Sequence, residues 1–235
     1  DATFLYAEMN NSPMHIAPLL IYDPATTGRD VVRFKDILQT FAERLDRSPV
    51  FRRKLAMVPL NLDQPYWVDD DRFDLEFHVR HIALPKPGDW RQLSILAARL
   101  HARPLDRARP LWEAYIIEGL DNVAGLPQGC YAMLLKVHHA AIDGASGVEL
   151  ISALHDFTAT PPPPRPAAPP LLDSPPSQAE MLWRAYKANM KAPFRLARMV
   201  GQGIPAWRRV HEGVKAKKFR TLGDKERTRF NAAVS

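Results

Sequence analysis

The spacing of hydrophobic positions along the first 160 residues changes several times between two periods. Short runs that are rich in β-branched and aromatic residues, or apolar at every second position, are typical of strands. Such runs lie at residues 15–22, 51–57, 65–68, 76–80, 112–118 and 130–138. Apolar positions three and four residues apart predict helices instead. This spacing occurs at residues 31–46, 90–102 and 145–157.

The irregular alternation of these elements predicts an α/β fold with a mixed sheet covered by helices. Gly88-Asp89 forms a natural cap before the second helix, and Ser48-Pro49 ends the first. The order of the elements is not a regular parallel β-α-β series, and no glycine-rich phosphate loop follows a strand. The sequence therefore argues against a nucleotide-binding Rossmann domain.

Composition changes abruptly after residue 159, which predicts a domain boundary. Prolines are too dense for helix or sheet over residues 160–176, and this stretch is expected to be an extended linker. Between Ser177 and Arg220 there are eleven Lys and Arg but two Glu, a net charge of +9 in a chain whose total is +6. The remainder of the chain thus has 6 − 9 = −3, so the whole basic excess lies in this segment.

Apolar residues among these charges predict one or two amphipathic helices over 177–220, broken near Pro193 and Pro205. Two interpretations stay open. The helices lie on an anionic membrane or lipid-droplet surface, or their apolar stripe packs on the protein while the charges face solvent. No nucleic-acid-binding module accompanies the charge, so nucleic acid is not an expected partner.

No apolar run approaches the roughly 18 residues that a membrane-spanning helix needs. The first residues show no start methionine and no secretory signal pattern. The single cysteine, Cys130, forms no intrachain disulfide and suits a reducing compartment. These features favour a cytoplasmic location, either free or peripheral on membranes or lipid droplets.

The candidate chemistry is concentrated in one turn, His138-His139-Ala140-Ala141-Ile142-Asp143-Gly144. It follows a predicted strand, and successive strand side chains point to opposite faces, so one histidine can reach a substrate while the other packs behind it. A histidine at such a position can act as a general base near neutral pH. Asp143 can orient a histidine or anchor the loop, and Gly144 permits a positive φ or a close backbone approach.

Other interpretations of these histidines remain open at this point. A histidine pair on an apolar strand is often structural. A metal site is not expected, because adjacent strand histidines diverge and no third or fourth ligand lies nearby. Elsewhere, His15 is expected to be a core histidine rather than a residue that lines an acyl or alcohol channel. His78 and His81 are expected to lie on the surface or to be hydrogen-bonded, and Trp112 to be a packing residue.

The His-His-x-x-x-Asp-Gly pattern resembles the active-site motif of the CoA-dependent acyltransferase superfamily. Its members include chloramphenicol acetyltransferase, the condensation domains of peptide synthetases and the bacterial wax ester synthase/diacylglycerol acyltransferases. Further segments are similar to the last of these families and follow in the same order: Ser12–Ile16, Phe77–His81 with Leu84-Pro85, and Pro104–Asp106 with Arg109–Glu113. The resemblance covers about residues 2–156, and Pro110-Leu111-Trp112 is fairly specific to that family.

The resemblance implies a chloramphenicol acetyltransferase-like fold of two similar domains with the active site between them. The chain would then hold the first domain at 1–159, the linker at 160–176, the basic helical segment at 177–220 and the start of a second domain at 221–235. The C-terminal half of the same enzyme is the implied partner.

The implied activity is O-acyl transfer from acyl-CoA, as co-substrate, to diacylglycerol or a long-chain alcohol, without an acyl-enzyme and without a permanently bound cofactor. By resemblance, His139 is the general base, His138 supports the loop or the base, Asp143 holds the geometry of the site and Gly144 permits the turn. Two alternatives remain: condensation-type amide formation on carrier-bound substrates, and a non-catalytic lipid-surface-binding protein.

Overall fold

The computed structural model describes residues 2–8, 13–27, 32–142, 146–156, 158, 176–190 and 192–215. The chain divides into two compact units, Asp1–Ser177 and Gln178–Ser235. Asp143 and Gly144 lie outside the described residues. So do residues 160–175 of the predicted linker and the predicted start of a second domain at 221–235.

The first unit combines helices with seven short strands in its described part. The helices are α1 (Ala2–Ala7), α2 (Phe34–Arg44), α3 (Leu75–His78), α4 (Trp90–His101) and α5 (Ser146–Leu154). The strands are β1 (His15–Ile16), β2 (Leu19–Tyr22), β3 (Arg53–Ala56), β4 (Tyr66–Asp69), β5 (Val79–Ala83), β6 (Trp112–Glu118) and β7 (Tyr131–His138).

The strands form a mixed central sheet and a small separate pair. β1 and β2 both pair with β7 in antiparallel register, β7 pairs antiparallel with β6, and β6 pairs parallel with β5. β3 and β4 form the antiparallel pair. The predicted α/β class with a mixed sheet is thus confirmed.

Helices cover both faces of this sheet. β6 and β7 are buried at nearly every position, and their successive side chains point to opposite faces. On one face, Trp112, Met133 and Leu135 pack in a core cluster with residues of α2 and α5. On the other, Tyr115 and Leu134 pack with the α4 leucines. Each fully buried side chain of this kind contributes about 1.5–3 kcal/mol through the hydrophobic effect, so the central strands are the best-fixed part of the unit.

Two predicted strands need correction. Within 76–80, the chain forms the helical turn α3 before β5 begins at Val79. The Asp74 carboxylate caps that turn by accepting hydrogen bonds from two of its backbone N–H groups. The predicted strand at 15–22 is split into β1 and β2 at Ala17-Pro18. Proline has no N–H to donate to a ladder, and its carbonyl instead accepts from Leu135 N at 3.1 Å.

The second unit contains α6 (Gln178–Met190) and α7 (Ala192–Lys215). Pro193 is the second residue of α7, a position in the first turn where proline is tolerated. Pro205 lies inside α7, so the break expected there does not occur. None of the helices in the described residues has both the length and the apolar character needed to cross a membrane.

Candidate active site

His138 is the last residue of β7 and is completely buried. Its backbone N–H donates to the Leu111 carbonyl at 3.0 Å. Its ring nitrogen Nδ1 accepts a hydrogen bond from Ala140 N at 2.9 Å, which caps the 3-10 turn His139–Ala141. The His138 side chain therefore helps to hold the turn in which His139 sits.

This hydrogen bond also sets the proton position on the His138 ring. Because Nδ1 accepts, the proton of the neutral imidazole resides on Nε2. Nε2 lies 3.5 Å from Glu8 Oε2, too far for a strong hydrogen bond but close enough for electrostatic attraction. Burial lowers the pKa of His138, and the Glu8 charge opposes this only in part. The ring is consequently neutral near physiological pH.

Glu8, which follows α1, is the nearby carboxylate that sequence reasoning missed. Its Oε2 accepts from Arg107 Nε at 3.0 Å and also from Arg107 Nη2. Its Oε1 accepts from the backbone N–H of Met14 at 3.2 Å. Burial on its own raises the pKa of Glu8, but these hydrogen bonds and the neighbouring positive charges outweigh it and lower the pKa. Glu8 is therefore ionised at neutral pH.

His139 occupies a different environment from its neighbour. It is half-buried, and its ring stacks on Phe4 with the ring centroids 4.9 Å apart. Its backbone N–H donates to the Met14 carbonyl at 2.8 Å. The structure thus agrees with the expectation that one histidine packs inside while the other stays accessible. The catalytic roles given to His138, His139, Asp143 and Gly144 stay predictions.

The other conspicuous side chains of the sequence have packing roles. Trp112 is buried and donates from Nε1 to the Phe51 carbonyl at 3.0 Å. His78 donates from Nδ1 to the Trp112 carbonyl at 2.7 Å and stacks on its indole ring. His15 is a buried core histidine whose Nε2 donates to the His101 carbonyl. Burial lowers the pKa of His15 to about 4.

His81, on β5, is exposed and lies 2.9 Å from a Glu118 carboxylate oxygen. It is thus a surface histidine, as expected. Within the described ranges, no group of three or more His, Cys, Asp or Glu side chains could hold a metal ion.

A cavity of about 820 Å³ lies between α2, α5 and the start of β7, with Phe41, Met133 and Tyr131 in its wall. Tyr131 and His138 are at opposite ends of β7, about 23 Å apart at a rise of about 3.3 Å per residue. The cavity is therefore separate from the histidine turn. One end of the sheet holds the candidate chemistry and the other holds the cavity.

Comparison with known proteins identifies the relatives of this chain. The model of the wax ester synthase/diacylglycerol acyltransferase catalytic domain matches residues 1–235. A Mycobacterium tuberculosis protein named as a diacylglycerol O-acyltransferase is 40% identical over 168 residues, which are 71% of this chain and 32% of the relative. A second M. tuberculosis protein of that name, tgs3, is 40% identical over 162 residues, 69% of this chain and 56% of the relative.

Among solved structures, the wax ester synthase/diacylglycerol acyltransferase from Marinobacter aquaeolei VT8 is similar with a TM-score of 0.49. It is 32% identical, and the match covers 64% of this chain and 34% of that one. The chain spans between about a third and just over half of the length of these relatives. The family model nevertheless matches throughout the chain, and the predicted resemblance is confirmed. The chain belongs to the wax ester synthase/diacylglycerol acyltransferase family.

Proposed function

We propose that this chain carries the histidine turn of an O-acyltransferase that moves a long-chain acyl group from acyl-CoA to diacylglycerol or a long-chain alcohol. The observation that carries the proposal is the pairing, in a chain of this family, of a buried His138 that caps the turn with a half-buried His139 beside it. A general base needs both a fixed backbone and an accessible ring nitrogen.

In the proposed reaction, His139 accepts the proton of the acceptor hydroxyl as its oxygen attacks the thioester carbonyl. The tetrahedral intermediate collapses with cleavage of the carbon–sulfur bond. The departing CoA sulfur receives the proton back from His139, so the base is restored and the products are an ester and free CoA. Asp143 would hold the geometry of the site, and Gly144 would permit the turn.

The proposed reaction needs two partners, the C-terminal half of the enzyme and a lipid surface. The C-terminal half of the enzyme would close the active site around acyl-CoA and the acceptor. An anionic membrane or lipid-droplet surface would be contacted by α6 and α7, on which Trp183, Tyr186 and Trp207 are more than half exposed. Lys187 lies 5.3 Å from the Trp183 ring, so apolar and cationic groups adjoin there. Such a protein would act in the cytoplasm, bound to the surface of the membrane or lipid droplet that holds its lipid substrates.

Product analysis tests the proposal. The protein, with its C-terminal half present, is incubated with palmitoyl-CoA and either hexadecanol or a diacylglycerol, while thiol release and lipid products are followed together. We expect one ester for each thiol released, and thiol release that depends on the acceptor. Free palmitate in place of the ester would indicate a thioesterase, and no thiol release with either acceptor would contradict the proposal.

A further inference from the structure

Glu8, the residue after α1, is distant in sequence from the histidine turn but lies close to the His138 ring. The Glu8 side chain is only 9% exposed. Both of its oxygens are occupied, one by the Arg107 guanidinium and the other by the Met14 backbone N–H. Arg107 is itself tied to α1, because its Nη2 also donates to the Leu5 carbonyl at 2.9 Å. Two guanidinium nitrogens donate to one carboxylate oxygen and the Met14 N–H donates to the other, and these hydrogen bonds together fix the orientation of the carboxylate.

The fixed carboxylate faces the one polar atom of the His138 ring that has no hydrogen-bond partner. Nδ1 is occupied by Ala140 N, whereas Nε2 is buried and makes no hydrogen bond. Glu8 Oε2 lies 3.5 Å away. A buried N–H that has no favourable electrostatic partner destabilises the folded state. The negative charge of Glu8 thus favours the ring orientation in which Nε2–H points toward it and Nδ1 faces the turn.

The short helix α1 also contacts the histidine turn directly. Phe4 stacks on the His139 ring, and Leu5 packs in one apolar cluster with Leu111 and Ala140. His138 and His139 are therefore both held by the segment that runs from α1 to Glu8. Neither contact follows from the spacing of the histidine motif.

From these contacts we infer that Glu8 is a positioning residue for the proposed acyl transfer: held by Arg107, it fixes the His138 ring, and His138 in turn holds the backbone turn that presents His139. The inference rests on the proposed function for its catalytic consequence. Its structural part, the coupling of Glu8 to the turn, stands without that function. In this role Glu8 acts through His138, so it is a positioning residue and not a catalytic one.

The test replaces Glu8 with glutamine, which keeps the shape of the side chain and removes its charge. The matched control is Asp156→Asn. Asp156 is also a nearly buried carboxylate, 11% exposed, and is held by Arg44 and Arg47. It lies in the wall of the cavity at the opposite end of the sheet. Both variants lose a charged partner of arginine, but only one of them faces the histidine turn.

The first readout is hydrogen exchange of the Ala140 amide, which needs no turnover. We expect Glu8→Gln to speed this exchange at least tenfold, relative to the global stability of the variant, because the His138 acceptor is less well held. Asp156→Asn should leave it unchanged after the same correction. Equal protection of the Ala140 amide in the wild type and Glu8→Gln would overturn the inference, whether or not the protein is an acyltransferase.

The second readout is a double-mutant cycle on kcat. Glu8→Gln should lower kcat about tenfold to a hundredfold, the loss typical when the hydrogen-bond partner of a metal-bound histidine is removed, with KM for acyl-CoA little changed. In a His138→Asn background the same substitution should have almost no further effect on kcat, because the residue through which it acts is gone. Additive effects would overturn the inference. Failure of the proposed function would look different, since the wild type would then form no ester.

Discussion

His15 makes the stability of the protein depend on pH. It is 5% exposed, and its pKa is lowered from 6.5 to about 4 by burial. Between these two values the unfolded chain binds a proton that the folded chain does not. The free energy of unfolding must therefore fall as the pH drops from about 6.5 to 4, by up to about 3 kcal/mol from this residue.

The prediction for His15→Gln is a weaker pH dependence in this window. Denaturant unfolding at several pH values between 4 and 8 measures it, and the value at pH 8 isolates the cost of the lost packing. Some slope should remain, because burial also lowers the pKa values of His78 and His138. A variant whose free energy of unfolding varies with pH as steeply as that of the wild type would show that His15 is not buried as a neutral ring.

The residues of the candidate site could be predicted from the sequence only where they are neighbours in the chain. The turn with His138 and His139 was found because motif and spacing coincide. The sequence offered Asp143 as the carboxylate nearest to the histidines, whereas Glu8 is the carboxylate that the described structure brings to His138. The contact between Glu8 and His138 depends on the packing of α1 and on Arg107. The spacing of residues in the sequence does not predict it.

The start of α4 depends on the close approach of the Gly88 and Gly119 backbones. Gly88 has a φ of +73°, and a Cβ there would lie 2.0 Å from the Gly119 carbonyl oxygen. Asp89 and Gln92 then cap the helix reciprocally. Gly125 is a matched control with a φ of +86° and no atom within 4 Å of its would-be Cβ.

Gly125→Ala should therefore cost about 1–2 kcal/mol for the left-handed backbone alone. Gly88→Ala should cost about 1–3 kcal/mol more, because the Gly119 backbone must move to relieve the overlap. Thermal and denaturant unfolding of both variants would measure the difference. Equal losses of stability would mean that the contact between Gly88 and Gly119 is not tight.

The sequence predicts some helices and strands better than others. The buried runs of β6 and β7 and the amphipathic pattern of α4 were located within one residue of their observed bounds. The residues around Phe77 have strand-like composition but form α3, because the Asp74 cap stabilises a helical turn locally. The six residues of α1 are too few for a helical period to be recognised, so the sequence does not predict this helix.

For the whole molecule, the basic helices α6 and α7 make a prediction about lipid surfaces. Lys187, Arg198 and Arg209 are exposed. Each Lys or Arg near an anionic surface contributes about 1 kcal/mol, an attraction that salt weakens. Replacing the three with glutamate should weaken sedimentation with phosphatidylserine-containing vesicles at low salt, without lowering turnover on detergent-dispersed substrates.

The control for this experiment reverses Lys35, Arg91 and Arg99, three exposed charges on α2 and α4. It changes the net charge by the same amount and should leave vesicle binding nearly intact. If both triple variants bind equally well, the apolar stripe of α6 and α7 packs on protein and the charges are merely solvated. The domain arrangement around these helices stays a prediction, because the organisation of two similar domains was inferred from resemblance alone.

We expect the whole protein to perform acyl transfer with His139 as its base. General-base catalysis contributes about 10² to 10⁴ in rate, so His139→Ala should lower thiol release from palmitoyl-CoA in the presence of hexadecanol or diacylglycerol by a factor in that range. His81→Ala, which removes an exposed histidine on β5, should keep wild-type turnover. Near-normal turnover by a folded His139→Ala variant would show that His139 is not the general base.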